Sequence, residues 1–268
     1  MQDILLAVIM GLVEGLTEFL PISSTGHLIL TDHWLGLQNR IDPEVAKAFE
    51  VFIQLGAVLA VVIVYPHRFA SLLRFRENRG FSGLRGIGLL ALTTLPAAVI
   101  GLTFRHFIKE RLFNPTAVAA SLLVGGVWIL VVEFLRPEPK REGLDSLTWK
   151  DALNVGLFQC LALWPGMSRS ASTILGGMIG GVERRTATEY SFFAAVAVLP
   201  AAGLYEIYKT LPHLHAAHIP LFAIGTLVSF ISGWTAVKFL IRFVSHHTLN
   251  VFGWYRLALA ALVLWWMR

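Results

Sequence analysis

The chain has 268 residues, of which 56% are hydrophobic and only 15% charged, with a net charge of +5; its mean hydropathy is +0.66. An ordinary soluble domain carries about 25% charged residues, so this composition argues against a water-facing surface and for a membrane protein. The basic residues sit in short loops between apolar stretches, which points to anionic lipid rather than nucleic acid. Cys160 is the only cysteine, which leaves no disulfide within the chain and no cysteine-based metal site.

In chain order, Met1-Gln2-Asp3 lacks the basic start of a signal peptide, and Glu14 and Glu18 interrupt the apolar run behind it. The first segment is therefore expected to stay in the mature protein. Ile4–Phe19 ends before Pro21, is followed by Ser23-Ser24-Thr25-Gly26-His27, and gives way to a second apolar run ending at Leu35. Two half-length pieces around a polar break predict a re-entrant hairpin over about 4–36 rather than two spans. Full spans are predicted at about 45–65, 86–104 and 116–135, then a polar linker at 136–150 holding Pro137 and Pro139. A second interrupted hairpin is predicted over about 151–180, with spans at about 187–207, 219–241 and 250–267.

The second half repeats the first. Gly11-Leu12-Val13-Glu14 answers Gly156-Leu157-Phe158-Gln159, and Pro21 then Ser24 answers Pro165 then Ser168, with the spacing differing by one residue inside the break. A hairpin returns to its own side and three spans are odd in number, so the second half would start on the opposite face. The expected fold is an all-α polytopic membrane protein with an inverted-topology repeat, residues 1–135 against 151–268, joined by a cytoplasmic linker at 136–150. In such architectures paired broken segments mark a binding site near the midplane. Arg68, Arg74, Arg76, Arg79, Arg85, Arg136, Lys140, Arg141, Lys150, Arg184, Arg185 and Arg242 gather on one side. The other side has Arg40, Lys47, Arg105, Lys109, Arg111, Lys209 and Arg268. The positive-inside rule makes the first side cytoplasmic and puts both termini outside.

Chemistry concentrates in the two breaks. Glu14 and Glu18 lie four apart and project from one helix face. Carboxylates inside a membrane are costly unless partnered and usually mark function; adjacent ones repel unless a cation or shared proton intervenes. They are candidates to bind a divalent cation or to orient and deprotonate a nucleophile. In the first break, Ser24 needs a base to become nucleophilic, and His27 lies within reach if a helical turn begins there. Ser23 and Thr25 are phosphate-binding candidates, with helix N-capping as the alternative role for the serines. In the second break, Pro165 and Gly166 shape a turn, while Ser168, Ser170 and Thr173 offer hydroxyls beside helix-start N–H groups suited to anions. Arg169 adds a planar cationic fork for phosphate oxygens, with a salt bridge to Glu14 or Glu18 as the simpler role. Glu50, Gln54, Glu133, Glu189 and Arg256 are polar residues in apolar surroundings and are weaker candidates.

Val13–His27 (VEGLTEFLPISSTGH), Phe158–Thr173 (FQCLALWPGMSRSAST) and the looser Phe49–Val61 (FEVFIQLGAVLAV) resemble the BacA/UppP family of undecaprenyl-pyrophosphate phosphatases over essentially the whole chain. The resemblance implies a multi-pass enzyme of the bacterial inner membrane. It would remove one phosphate from undecaprenyl pyrophosphate, recycle the lipid carrier for peptidoglycan and confer bacitracin resistance. It implies catalytic roles at Glu14, Glu18, Ser24, His27 and Arg169, and dependence on a divalent cation, Mg2+ or Ca2+, which Glu14 and Glu18 would hold. The partners it implies are the lipid substrate and the bilayer, with no nucleic acid; a homodimer is among the assemblies left open. The site is expected to open to the periplasmic side. The type-2 phosphatidic-acid phosphatases fit less well, because Leu175 stands where their histidine should follow Ser168-Arg169. A polyprenyl-phosphate transporter or flippase on the same inverted repeat is the rival reading; it would need an anion site but no nucleophile. The resulting expectation is that both breaks form one site, with Glu18, His27 and Arg169 within roughly 10 Å, and that Ser24 attacks with His27 as its base. A metal-bound water or a serine of the second break remains an alternative nucleophile.

Overall fold

A computed structural model describes residues 2–36, 41–76, 79–112, 114–135 and 138–266. Arg40, Arg136, Pro137 and Arg268, which entered the loop-charge and linker expectations, lie outside the described residues, as does the side chain of Lys109. The described residues form twelve α-helices and contain no β-strand. They are α1 (Gln2–Thr17), α2 (Ser24–Leu35), α3 (Pro43–Val64), α4 (Pro66–Leu72), α5 (Gly83–Thr103), α6 (Arg105–Leu112), α7 (Pro115–Leu135), α8 (Trp149–Gln159), α9 (Arg169–Ile179), α10 (Arg184–Thr210), α11 (Ile219–Val244) and α12 (Asn250–Trp266). Four segments, Pro43–Val64, Gly83–Thr103, Thr116–Leu135 and Ala216–Val244, are long and apolar enough to cross a membrane.

Local chemistry places the helix ends. Asp42 caps α3 ahead of Pro43, its carboxylate accepting from the Glu44 N–H at 2.8 Å; proline suits this position because its missing N–H would have been unsatisfied there. Thr148 and Asp151 form a reciprocal capping box at α8, which satisfies two orphan donors at once. α1 stops short of Pro21, and α8 tightens into a 3-10 turn at Cys160–Leu163 before Pro165.

α1 packs along α11, α11 along α3, α12 along α7, α5 along α8, and α10 along both α3 and α9. Small residues allow the close approaches. A Cβ on Gly11 would come within 2.5 Å of Gly225 O on α11, and one on Gly156 within 2.7 Å of Thr93 O on α5. Close contact through small residues is how membrane helices associate without a hydrophobic driving force. Polar side chains tie the bundle further. Arg184 at the start of α10 donates to both oxygens of the buried Glu133 on α7, at 2.7 and 2.5 Å, and Glu133 also accepts from the Leu249 N–H. Glu133 thus joins α7, α10 and the entry to α12. Tyr190 on α10 donates to Leu89 O on α5 and meets the Thr93 hydroxyl at 2.7 Å. At the centre lies α9, a half-length helix whose residues from Ser170 to Met178 are all buried.

Candidate active site

Both breaks are built on the same unusual backbone. Ser23 precedes α2 at φ 75° and Ser168 precedes α9 at φ 72°, and they are the only non-glycine residues with positive φ among those described. The left-handed region costs an L-residue roughly 1–2 kcal/mol, and such strain clusters at functional sites. Each serine also caps its helix. Ser23 Oγ accepts from the Gly26 N–H at 3.2 Å, and Ser168 Oγ from the Ala171 N–H at 3.2 Å. Ser168 follows Gly156 at the same separation as Ser23 follows Gly11. By backbone conformation the counterpart of Ser168 is therefore Ser23 rather than Ser24, and the one-residue offset falls on Pro21 and Pro165 instead. Counted this way, Glu14 faces Gln159 and Ser24 faces Arg169.

The breaks touch each other. Ser170 Oγ donates to Leu20 O at 2.9 Å. Arg256, fully buried on α12, donates to Met167 O and Gly166 O at 2.9 Å and to Pro21 O at 3.4 Å. It also reaches Ser121 O at 3.0 Å on α7. One guanidinium thereby satisfies carbonyls that both interrupted segments leave without helical partners. Gly166 needs to be glycine on two counts: its φ is 92°, and a Cβ would lie 2.1 Å from Ser121 Oγ.

Between the breaks is a cavity of about 170 Å3 lined by Glu18, Ser23, Ser24, Thr25, Gln54, Pro165, Gly166, Ser168 and Arg169, together with Ala162 and Leu199. Hollows of about 580 and 610 Å3 lie elsewhere, so volume alone does not pick out this site; its chemistry does. Ser24 Oγ donates to Glu18 Oε2 at 2.6 Å, and Arg169 donates to Glu18 Oε1 at 3.2 Å. The carboxylate thus links a hydroxyl of the first break to the cation of the second. Arg169 is steadied by α10, donating to Ser191 O at 3.0 Å and Ser191 Oγ at 3.4 Å, while its buried Nε–H has no acceptor in the protein. Glu14 is buried behind Glu18, and neither of its oxygens has a hydrogen-bond donor. The carboxyl groups of Glu18 and Glu50 lie near it.

His27 is placed differently from expectation. Its Nδ1 meets Ser23 O at 2.7 Å, and its Nε2 meets the Tyr255 hydroxyl at 2.6 Å, with the two rings stacked. Both ring nitrogens are engaged, and the Ser24 hydroxyl is turned to Glu18. The predicted Ser24–His27 pair is therefore corrected to Ser24–Glu18. The cause is the strained turn at Ser23, which makes the histidine close the first turn of α2 onto the Ser23 carbonyl. Some expected phosphate ligands are also committed elsewhere. Ser170 meets Ser168 Oγ and Leu20 O, and Thr173 donates to Arg169 O and Ser191 Oγ. Both are fully buried and hold the second break in shape; Ser23, Thr25, Gly166 and Ser168 do line the cavity. Of the weaker candidates, Gln54 lines the cavity, Arg256 braces both breaks, and Glu189 pairs with Arg185 at 3.3 Å. Ser191, Ser121 and Tyr255 were not singled out in the sequence. None belongs to either break, and each meets the site only through tertiary contact.

The fold and this cavity define a class, a multi-pass membrane protein with an acid-bound hydroxyl and a buried cation enclosed where two interrupted segments meet. The family model described as bacitracin resistance protein BacA matches residues 7–262, and the chain belongs to that family. It is 53% identical over 265 residues to the undecaprenyl-diphosphatase of Oleidesulfovibrio alaskensis, covering 98% of both chains. It is 52% identical over 267 residues to the undecaprenyl-diphosphatase of Nitratidesulfovibrio vulgaris, covering 100% of this chain and 99% of the other. Undecaprenyl-diphosphatase 1 of Chromobacterium violaceum is 48% identical over 263 residues, covering 97% and 96%.

Proposed function

We propose that the chain hydrolyses undecaprenyl pyrophosphate to undecaprenyl phosphate and inorganic phosphate, with the cavity between the two breaks as its active site. The observation that carries the chemistry is the Ser24–Glu18–Arg169 link, which places a hydroxyl, its proton acceptor and a phosphate-binding cation on one carboxylate. Ser24 Oγ attacks the terminal phosphorus and its proton passes to Glu18. The bond from that phosphorus to the bridging oxygen breaks, and undecaprenyl phosphate leaves. Water then displaces Ser24 from the phosphoserine, releasing inorganic phosphate and restoring the serine hydroxyl. Arg169, whose Nε–H is unclaimed, and the N–H groups opening α9 stabilise charge on the transferred group. His27, held by Tyr255, fixes the turn that presents Ser24. Glu14, whose buried oxygens have no hydrogen-bond donor, and the adjacent Glu18 are the residues that would hold a divalent cation, Mg2+ or Ca2+. Such an ion would neutralise charge on the diphosphate.

The inverted repeat belongs to the same reading. Its support is that the helix contacts interchange between halves: α1 lies on α11 as α8 lies on α5, while α3 meets α10 and α7 meets α12. The basic loops face the cytoplasm of the bacterial inner membrane, both termini lie outside and the cavity opens to the periplasm, on the strength of loop charge. Phosphate release from undecaprenyl pyrophosphate by the purified protein, with and without chelator, tests the function. Release that requires the cation and is lost in Ser24→Ala is expected; absence of release under either condition overturns the reading. Impermeant thiol labelling of intact cells carrying Arg76→Cys or His106→Cys tests orientation. Reaction at 106 and not at 76 is expected, and the opposite result reverses the topology.

A further inference from the structure

Outside the active site, a hollow of about 610 Å3 lies between α5 and α8, on the side that gathers the basic loops. Three cations line it: Arg85 at the start of α5, Arg141 in the preceding connection, and Lys150 at the start of α8. Two are fixed in place. Arg85 donates to Leu147 O at 2.6 Å and to Gly80 O, and Arg141 donates to Gly180 O at 2.9 Å. Asp151 pairs with Arg141 at 2.5 Å from a buried position behind it, and Asp145 is engaged by Arg68 at 2.9 Å. Lys150 has no acidic partner among the described residues, so the lining keeps its positive charge. Trp149 is 60% exposed at the rim, with Lys150 Nζ 5.6 Å from its ring centroid. Exposed tryptophan beside a basic residue is the side-chain signature of headgroup depth.

The hollow is basic at one end only. One turn into α5 from Arg85 is Gly88, where a Cβ would meet nothing within 4 Å, and beyond it on the same face is Leu92. An open, apolar notch thus descends along α5 from the cations. Free phosphate would have no use for that notch; a lipid acyl chain would lie in it. We propose that this hollow binds one anionic phospholipid, its headgroup phosphate on Arg85, Arg141 and Lys150 and an acyl chain along Gly88 and Leu92. Basic pockets between membrane helices on the positive side are suited to such headgroups.

Native mass spectrometry of the delipidated full chain, titrated with phosphatidylglycerol and with phosphatidylcholine, tests this. Phosphatidylglycerol should bind at least roughly fivefold more tightly, the contribution of about one cation at an anionic headgroup. Lys150→Glu, a change of two charges, should weaken phosphatidylglycerol binding about thirtyfold, and Gly88→Phe should weaken it by filling the notch. Lys150→Glu should leave phosphatidylcholine binding unchanged, whereas Gly88→Phe should weaken it too, because the two lipids carry the same acyl chains. Lys150 is exposed and Gly88 faces open space, so both variants should fold. Equal binding of the two lipids, or undiminished phosphatidylglycerol binding in a folded variant of either kind, overturns the proposal. So does displacement of phosphatidylglycerol by millimolar inorganic phosphate, which would reveal a site for the free anion.

Discussion

The two breaks share a backbone and divide the chemistry. Each holds a serine in the left-handed region, each uses that serine to cap a buried half-helix, and each leaves carbonyls that Arg256 collects. The residue after the strained serine is Ser24 in one and Arg169 in the other, and the buried polar residue on the preceding helix is Glu14 in one and Gln159 in the other. In the first break the polar groups converge on the cavity through Glu18. In the second, Thr173 bonds within its own half, Ser170 ties the turn to Leu20 O of the first break, and Arg169 alone carries charge across to Glu18. One geometry can therefore present either a hydroxyl or a cation, provided the hydrogen bonds that maintain the turn stay local.

Unequal roles predict unequal losses. Ser24→Ala should lower kcat about a thousandfold or more while substrate binding persists. Retention of even a tenth of kcat, a barrier change of only about 1.4 kcal/mol, would falsify Ser24 as nucleophile and move attack to water or to Ser168. Arg169→Ala should reduce kcat/KM by about a hundredfold or more, raising KM as well as lowering kcat, because the cation meets ground state and transition state alike. Arg169→Lys should recover only part of this, since an ammonium lacks the planar fork that spans Glu18 and Ser191. An Arg169→Ala enzyme changed in KM alone would make the second break a binding element only.

The positioning pair should matter less. His27→Gln and Tyr255→Phe should each lower kcat by about tenfold or less, and the double variant should be no worse than the poorer single, because the two share one hydrogen bond. A His27→Gln loss as deep as that of Ser24→Ala would restore histidine to the role of base. Stability, by contrast, should treat the breaks alike. Glycine relieves the positive φ, so Ser23→Gly and Ser168→Gly should each be more stable than the matching alanine variant by about 1–2 kcal/mol. Thermal unfolding in detergent reads this, and a large difference between the two positions would undo the shared-backbone comparison.

The smallest effect lies outside both breaks. Burial tends to raise the Asp145 carboxyl, but hydrogen bonds from the Phe81 N–H and from Arg68 outweigh it and hold the group below the usual carboxylate range. A lowered folded-state value means that the pair stabilises above the ordinary carboxylate range and is lost as pH falls through Asp145's own lowered value. Because both side chains are largely exposed, Asp145→Asn should cost at most about 1 kcal/mol at neutral pH, and the difference from wild type should vanish in acid. A cost that persists in acid would assign the stabilisation to packing instead.

The sequence by itself determined the solvent and the architecture class, because too few charges and long apolar runs leave helices in a bilayer as the structure that satisfies the backbone. It also located the two breaks, since Pro21 and Pro165 are each followed by a hydroxyl-rich segment that caps a new helix, unlike Pro96 and Pro200, which lie inside α5 and α10. Glu14, Glu18, Ser24 and Arg169 were legible because polar groups in apolar surroundings are costly enough to be informative. The partners of those groups were decided only by tertiary structure. Spacing brings His27 near Ser24 along an ideal helix, but the positive φ at Ser23 turns Ser24 to Glu18 and His27 to Tyr255, which is 228 positions away in the chain. The same holds for Ser191 beneath Arg169 and for Arg256 among the carbonyls of both breaks. Hydrogen bonds between distant elements leave no periodic trace in a sequence, because their geometry exists only after the helices have packed.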